Sequence, residues 1–235
     1  MMSDLLTALP PGALMMLAAV PLVLVPHHAR QVVMLLAIAG SAFSLTAGAG
    51  QHLNIEMLGF EMSLYRADHL SLPFAIVFHI AAALNVFYGW HERKATDHVA
   101  GLSYAGAAIA ALHAGDLVTL FIWWEATAVT SVFLILASGT QRARRAAMRY
   151  LIVQVASGVL LLAGAAMLYS ESGSLAFAGI TLGSTGTWMI FIAFGIKAAF
   201  PLLNGWLQDA YPEATVVGTV VLSSFTTKLA IYALA

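Results

Sequence analysis

The chain has 235 residues, of which 61% are hydrophobic and 9% are charged, with a formal net charge of −1 and a mean hydropathy of +0.88. Because a soluble domain carries about 25% charged residues, this composition excludes an ordinary soluble protein and indicates an integral membrane protein. The absence of cysteine excludes disulfides, thiolate catalysis and cysteine-ligated metals. We expect no cofactor, no bound metal and no nucleic-acid partner, since the sequence has no basic nucleic-acid footprint.

Windows of about 20 apolar residues cross a bilayer, and the sequence predicts an all-α membrane protein with about eight of them. They lie near residues 10–26, 31–50, 69–90, 98–115, 117–138, 147–169, 187–208 and 215–235. Between the second and third windows, residues 51–68 alternate between apolar and polar side chains. This alternation predicts either a short extracytoplasmic hairpin or an interfacial segment.

Basic residues fall in alternate connections between the predicted helices. Those after the first, third and fifth windows hold Arg30, Arg93, Lys94, Arg142, Arg144, Arg145 and Arg149. The other connections hold only Arg66. By the positive-inside rule, the three basic connections are cytoplasmic and the N-terminus is extracytoplasmic. We therefore expect a multi-pass protein of the inner (plasma) membrane.

The fifth window carries a carboxylate, Glu125, about two turns into the helix and directly after two tryptophans. One interpretation is an interfacial tryptophan belt with a snorkelling glutamate. The other is a buried functional carboxylate paired with a cation, because a charge at bilayer depth is costly and marks functional sites. Its natural partner is Lys197 in the seventh window, since an unpaired buried charge tends to neutralise.

The seventh window also predicts a broken helix at its own lysine. Pro201 has no N–H to bond the carbonyl of Lys197, and Gly195 and Gly205 loosen the flanks. Broken helices at membrane depth mark binding sites in transporters. A lysine that pairs with a carboxylate and separates from it can load and release a proton. The alternative for Lys197 is a purely structural ion pair.

Several other polar residues are candidates for proton transfer or for structure. Lys228 in the eighth window follows four hydroxyl side chains, and it either joins a polar path or snorkels to the interface. His113 could shuttle protons or be a satisfied structural histidine. Asp209 and Glu213 follow the broken helix and either cap the next helix or give protons access. The buried amides Asn85 and Gln154 are predicted to hydrogen-bond between helices.

Three stretches of the sequence carry a family resemblance: Trp124-Glu125, the run from Lys197 to Ala214, and Gly218–Tyr232. They resemble the antiporter-like membrane subunits shared by respiratory complex I and Mrp-type multisubunit cation/proton antiporters. The last stretch is most similar to the Mrp D subunit. Asn204 and Gln208 depart from the family pattern, which usually has histidine and proline at these positions.

The resemblance implies a proton-translocating subunit whose buried charges are Glu125, Lys197 and Lys228. It also implies the first five-helix repeat of the antiporter-like fold, over residues 98–235, after an N-terminal three-helix region at 1–97. The family has a second, inverted repeat that these residues do not include. We therefore expect other membrane subunits as partners, with one of them supplying the second repeat if the chain is complete.

Three functions remain open from the sequence. The first is a transporter subunit, not itself an enzyme, of a multisubunit sodium/proton antiporter that exchanges a monovalent cation for protons through a Glu-Lys-Lys charge relay. The second is a proton-pumping membrane-arm subunit of a complex I-like NADH:quinone oxidoreductase or membrane hydrogenase. The third is a non-transporting truncated scaffold or a bicarbonate-uptake partner.

Overall fold

The computed structural model describes residues 10–47, 50, 52–57, 59–177 and 179–235. Residues 48–49, near the end of the predicted second window, lie outside the described residues. So does residue 51, the first residue of the predicted hairpin segment. Nine α-helices lie in the described ranges: α1 Ala13–Ala19, α2 His27–Phe43, α3 Ser71–Tyr88, α4 Ala95–Leu112, α5 Leu117–Leu136, α6 Gln141–Ser172, α7 Thr185–Lys197, α8 Gly205–Ala210 and α9 Val216–Leu234. Short 3-10 turns extend this set at Val20–Val23, Ser44–Ala47 and Tyr211–Glu213.

Each of the eight predicted windows contains a helix. Five helical segments are 18 to 32 residues long, with a mean hydropathy of 1.4 to 2.2, and are long and apolar enough to cross a bilayer. These are His27–Thr46, Ser71–Tyr88, Leu117–Leu136, Gln141–Ser172 and Val216–Leu234. The apolar segments Ala13–Val23 and Thr185–Lys197 are shorter, and α4 has 18 residues but opens with the polar pair Asp97 and His98. The prediction of an all-α membrane protein is confirmed.

Asp116 separates the fourth and fifth helices, which are close together in the sequence. Its side chain caps α5 by accepting hydrogen bonds from the backbone N–H groups of Val118 and Thr119, both at 2.8 Å. The other carboxylate oxygen accepts from the Thr119 hydroxyl at 2.6 Å and from the Ser63 N–H at 2.8 Å. A single aspartate thus starts a helix and anchors the preceding hairpin to it.

Residues 52–57 and 59–66 form the hairpin that was one of the two sequence predictions for this region. Strands β1 (His52–Met57) and β2 (Phe60–Arg66) pair antiparallel, with Leu53 opposite Tyr65. The hairpin lies over the α4–α5 connection, where Gly115 donates its N–H to the Ser63 carbonyl at 3.0 Å. A Cβ at Gly115 would lie 2.2 Å from the Ser63 hydroxyl, so only glycine fits this approach.

The basic connections meet at the opposite end of the bundle. Arg30 donates to the Arg93 carbonyl at 3.0 Å, and Lys94 donates to the Ala137 carbonyl, also at 3.0 Å. These hydrogen bonds join the connections after the first, third and fifth predicted windows. The distribution of basic residues had placed the same three connections on one side of the membrane. Which side of the membrane this end faces stays a prediction, as does the division of the chain at residue 97.

Candidate functional site

The predicted break in the seventh helix is present, and Lys197 is the last residue of α7. Ala199 adopts a left-handed conformation (φ 60°), which lets the Phe200 N–H bond the Gly195 carbonyl at 3.0 Å and the Ala199 N–H bond the Ile196 carbonyl at 3.1 Å. This nested pair of backbone hydrogen bonds is a Schellman motif, which ends a helix. Left-handed backbone costs a residue other than glycine about 1–2 kcal/mol, so surrounding packing must hold it.

The chain resumes as a helix at Gly205, and one side chain spans the gap. The Trp206 indole N–H donates to the Ile196 carbonyl at 2.9 Å, one residue before the lysine. A Cβ at Gly195 would lie 2.8 Å from the Phe200 ring, so the glycine leaves room for this ring to fold back. The predicted break residues Gly195, Pro201 and Gly205 therefore all lie in or beside the interruption.

Lys197 is fully buried, with no exposed side-chain surface. Its ammonium donates hydrogen bonds to the Trp124 carbonyl at 2.7 Å and to the Thr127 hydroxyl at 2.8 Å. It also lies 4.2 Å from the centroid of the Trp124 ring, which is cation–π distance. The positive charge is therefore held by oxygen dipoles and an aromatic face of α5.

Glu125 is half-buried on the same helix, and its side chain leads toward α6. A Cβ added to Gly158 would lie 1.7 Å from Oε1 of Glu125, so the carboxyl group lies in the notch that this glycine leaves. Oε1 is buried and has no hydrogen-bond partner. A buried polar atom without a partner costs about 1–3 kcal/mol, which is the kind of deficit found at functional sites.

The direct Glu125–Lys197 ion pair that the sequence predicted is absent. The ion pairs among the described residues are Arg66–Asp68, Arg142–Glu213 and Arg149–Asp209. The predicted direct contact does not form because the lysine reaches the backbone carbonyl of Trp124, one residue before the glutamate. The two charged groups still interact electrostatically over a longer distance. Successive helical side chains point about 100° apart, so the glutamate carboxyl leaves α5 in another direction.

Lys228 does not join this cluster. It lies on the exposed face of α9, and its ammonium donates to the Ser223 carbonyl of the same helix. The buried face of α9 instead presents Leu222, Phe225 and Thr226 to the core. The sequence alternatives for Lys228, a polar path or snorkelling, both remain compatible with this outward position.

The three candidates for proton access lie at opposite ends of the bundle. Glu213 accepts from Arg142 and Asp209 accepts from Arg149, with shortest distances of 2.6 Å, at the basic end. The hydrogen bond from Arg149 holds the pKa of the Asp209 carboxyl below its usual range. His113 is at the hairpin end, fully buried, with Nδ1 donating to the Ile109 carbonyl at 2.9 Å and Nε2 without a partner.

The two predicted helix-bridging amides differ. Asn85 on α3 donates to the Ser224 hydroxyl of α9 at 3.2 Å, as predicted. Gln154 on α6 is fully buried, yet neither its oxygen nor its nitrogen has a partner. The prediction of an interhelical hydrogen bond for Gln154 was wrong, because neither atom of its amide bonds another described residue.

The hydroxyl side chains around Lys197 were not among the site residues predicted from the sequence. Ser157 on α6 accepts from the Trp124 indole at 3.1 Å and donates to the Ala193 carbonyl of α7 at 2.8 Å, so it joins three helices. Thr127 and Ser131 lie four residues apart on one face of α5, which was the available signal. Among the described residues, no three His, Asp or Glu side chains gather to hold a metal ion.

The fold and this site define a polytopic helical membrane protein with a buried lysine at a helix break. Residues 114–235 match the profile of the family described as "NADH:quinone oxidoreductase/Mrp antiporter, TM". The matched part is about half of the chain, and the protein belongs to this family.

A curated relative is similar over most of this chain. NAD(P)H-quinone oxidoreductase chain 4 1 of Synechococcus elongatus is 29% identical over 191 residues, covering 77% of this chain and 36% of its own. Further curated relatives at 27% to 30% identity are named as chain 4 of NAD(P)H-quinone oxidoreductase or subunit M of NADH-quinone oxidoreductase. The chain spans about a third of the length of such relatives.

Two solved structures share the fold. A chain of respiratory complex I from Thermus thermophilus superposes with a TM-score of 0.79 at 19% identity, covering 95% of this chain and 52% of its own. A chain of the Mrp complex from Dietzia superposes with a TM-score of 0.76 at 23% identity, covering 95% and 27%. The same helical architecture therefore occurs in both kinds of complex.

Proposed function

We propose that this protein moves protons across a membrane as one subunit of a multisubunit complex. The observation that carries this proposal is Lys197, a fully buried lysine at the end of a broken helix, bonded to the Trp124 carbonyl and the Thr127 hydroxyl. An ionisable group at this depth is costly and is retained where it transports charge. Lysine suits the role because burial makes its proton readily exchangeable.

Glu125 and Lys228 take part on either side of this lysine in the proposed relay. The Glu125 carboxyl interacts electrostatically with Lys197 through a low-dielectric interior, so the charge on one group affects the charge on the other. Lys228 faces outward from this chain, which suits transfer to a neighbouring membrane element. Such an element could be the second repeat of the family fold, in the same polypeptide or in another subunit.

The driving force we favour is a redox reaction in partner subunits. The curated relatives carry complex I names, which supports a membrane-arm subunit of an NADH:quinone oxidoreductase. In that case the subunit carries protons while its partners carry out the electron transfer. The D subunit of an Mrp sodium/proton antiporter stays a second candidate, supported by the resemblance of Gly218–Tyr232 and by the shared fold of the Dietzia complex.

Proton transport can be tested in everted vesicles that hold the complete complex and a pH-sensitive dye. Lys197→Met keeps the length of the side chain but removes its charge, and we expect it to abolish proton uptake. The matched control is Arg144→Met, which also removes one positive charge, because Arg144 lies exposed in the first turn of α6, away from Lys197. Unchanged proton uptake in a correctly assembled Lys197→Met complex would refute the proposal.

The same vesicles separate the two candidate complexes. Proton uptake driven by NADH and blocked by a quinone-site inhibitor supports the redox-driven complex. Proton release caused by a sodium pulse, with no effect of NADH on the purified complex, supports the antiporter. Iron–sulfur subunits should co-purify with the protein in the first case and be absent in the second.

A further inference from the structure

A chain of buried hydroxyl groups leads away from Lys197 through the core. Thr127, which accepts from the lysine, is followed one turn later on α5 by Ser131. The Ser131 hydroxyl bonds the Tyr150 hydroxyl of α6 at 2.7 Å. Both side chains are essentially inaccessible to solvent. A hydroxyl group buried in an apolar bundle needs a hydrogen-bond partner. Here the hydroxyl groups are arranged one after another, in a line that starts near Lys197.

The line continues across to α9 and α4. The Thr226 hydroxyl lies beside the Tyr150 hydroxyl and makes a hydrogen bond with the Tyr104 hydroxyl. The Thr226 N–H also donates to the Tyr104 oxygen at 2.8 Å, which fixes the two groups together. Tyr104 and Thr226 are separated by 122 residues of sequence, and both are buried.

Asp97 lies at the outer end of this line, two turns before Tyr104 on the same helix. One carboxylate oxygen accepts from the Thr215 hydroxyl at 2.8 Å, while Oδ2 is buried without a partner. Asp97 lines a cavity of about 30 Å³ together with Val221 and Phe225, and the Phe225 ring packs edge-on against Tyr104. Such a volume holds an ordered water, and a buried carboxylate oxygen is a suitable partner for it.

Gln154 lies at the inner end, between the hydroxyl line and Lys197. Tyr150 and Ser157 are on the same face of α6, one turn before and one turn after Gln154. Their partners on α5 are Ser131 and Trp124. Trp124 and Thr127, which lies between these two partners in the sequence, bond Lys197. An amide with two donors and one acceptor, fully buried and without a protein partner, points to bound water at this level.

We propose that Asp97, Tyr104, Thr226, Tyr150 and Ser131 form the route by which protons reach Lys197, with water at Asp97 and at Gln154 completing it. The inference rests on the proposed proton transport. In each transfer, a hydroxyl oxygen accepts a proton from the outer neighbour and releases its own proton to the inner neighbour. The transfer starts from a protonated Asp97 and a neutral Lys197 amine and ends with an Asp97 carboxylate and a Lys197 ammonium, after which the hydroxyl groups rotate back.

The test measures dye-reported proton uptake in vesicles that hold the complete complex. Tyr150→Phe and Thr226→Val each remove one hydroxyl and keep the shape of the side chain. We expect each to slow proton uptake at least about tenfold, since a positioned proton-transfer group typically speeds a reaction by about 10²–10⁴-fold. Thr226→Ser restores the hydroxyl and should retain most of the parental rate.

Tyr232→Phe is the matched control, because this buried tyrosine donates to the Leu112 carbonyl at 2.7 Å, away from the route. Parental rates in Tyr150→Phe and Thr226→Val, with Lys197→Met inactive, would overturn the route and leave the proposed function intact. Equal loss in Thr226→Ser and Thr226→Val would also overturn it, because the effect would then be structural. An active Lys197→Met would refute the proposed function and the route together.

Discussion

A substitution of Gly158 has two opposing effects on stability, a gain in helix propensity and a steric clash with Glu125, and the size of each can be estimated. Gly158→Ala by itself should favour helix α6 by up to about 1 kcal/mol, because alanine has the higher helix propensity. However, the new methyl would lie 1.7 Å from Oε1 and 2.7 Å from Cδ of Glu125. The carboxyl must therefore move, and overpacking of this kind typically costs about 1–3 kcal/mol.

We expect the cost to exceed the gain, so Gly158→Ala should lower the free energy of unfolding by roughly 1 kcal/mol. Thermal unfolding of the detergent-purified protein measures this change. The matched control is Gly183→Ala, because a Cβ at Gly183 has no neighbour within 4 Å and should leave the melting temperature almost unchanged.

A double-mutant cycle identifies the cause of the loss. In a background of Glu125→Ala the clash is gone, so adding Gly158→Ala should now be neutral or stabilising. If Gly158→Ala destabilises the two backgrounds equally, Glu125 does not occupy the notch, and the packing argument for this carboxyl is wrong. Proton uptake by the single variant should fall as well, because the displaced carboxyl no longer lies where the relay needs it.

Two further predictions concern the ends of the bundle. Asp116→Ala removes the cap of α5 and should cost about 0.5–2 kcal/mol of stability in thermal unfolding, with Asp116→Asn losing less because it keeps one acceptor oxygen. At the basic end, the lowered pKa of Asp209 means that its pair with Arg149 stabilises the fold above the ordinary carboxyl pKa. This contribution disappears as the pH falls through the folded-state pKa, so Asp209→Asn should flatten the acid side of the melting-temperature profile; an unchanged profile would show that the pair is energetically neutral.

The break in the seventh helix was predictable because its causes are local. Pro201 removes a backbone donor wherever it stands in a helix, and glycines before and after it are visible in the sequence. The conformation that ends α7 was not predictable, because left-handed backbone at Ala199 is intrinsically unfavourable and is held by Phe200 and Trp206 from outside the helix.

The partners of the buried charges were harder to predict than their positions. Hydropathy shows that Lys197 and Glu125 lie in apolar windows, but it does not show that a lysine will choose a backbone carbonyl over a carboxylate. Lys228 illustrates the same limit, since polar and apolar side chains are spread around all sides of α9 and the sequence gives no face by which to orient the lysine. The contact between Tyr104 and Thr226 depends on how two distant helices pack, which no local pattern contains.

The hydrogen bond from the Trp206 indole to the Ile196 carbonyl closes a loop of fixed length across the helix break. Trp206 returns to Ile196 after ten residues, so the segment between them has the length needed to bring the indole back to that carbonyl. Exposed loops elsewhere in a protein accept inserted residues at little cost. An insertion or deletion between Ala198 and Gly205 would instead shift Trp206 out of reach, so this segment should tolerate changes of side chain far better than changes of length.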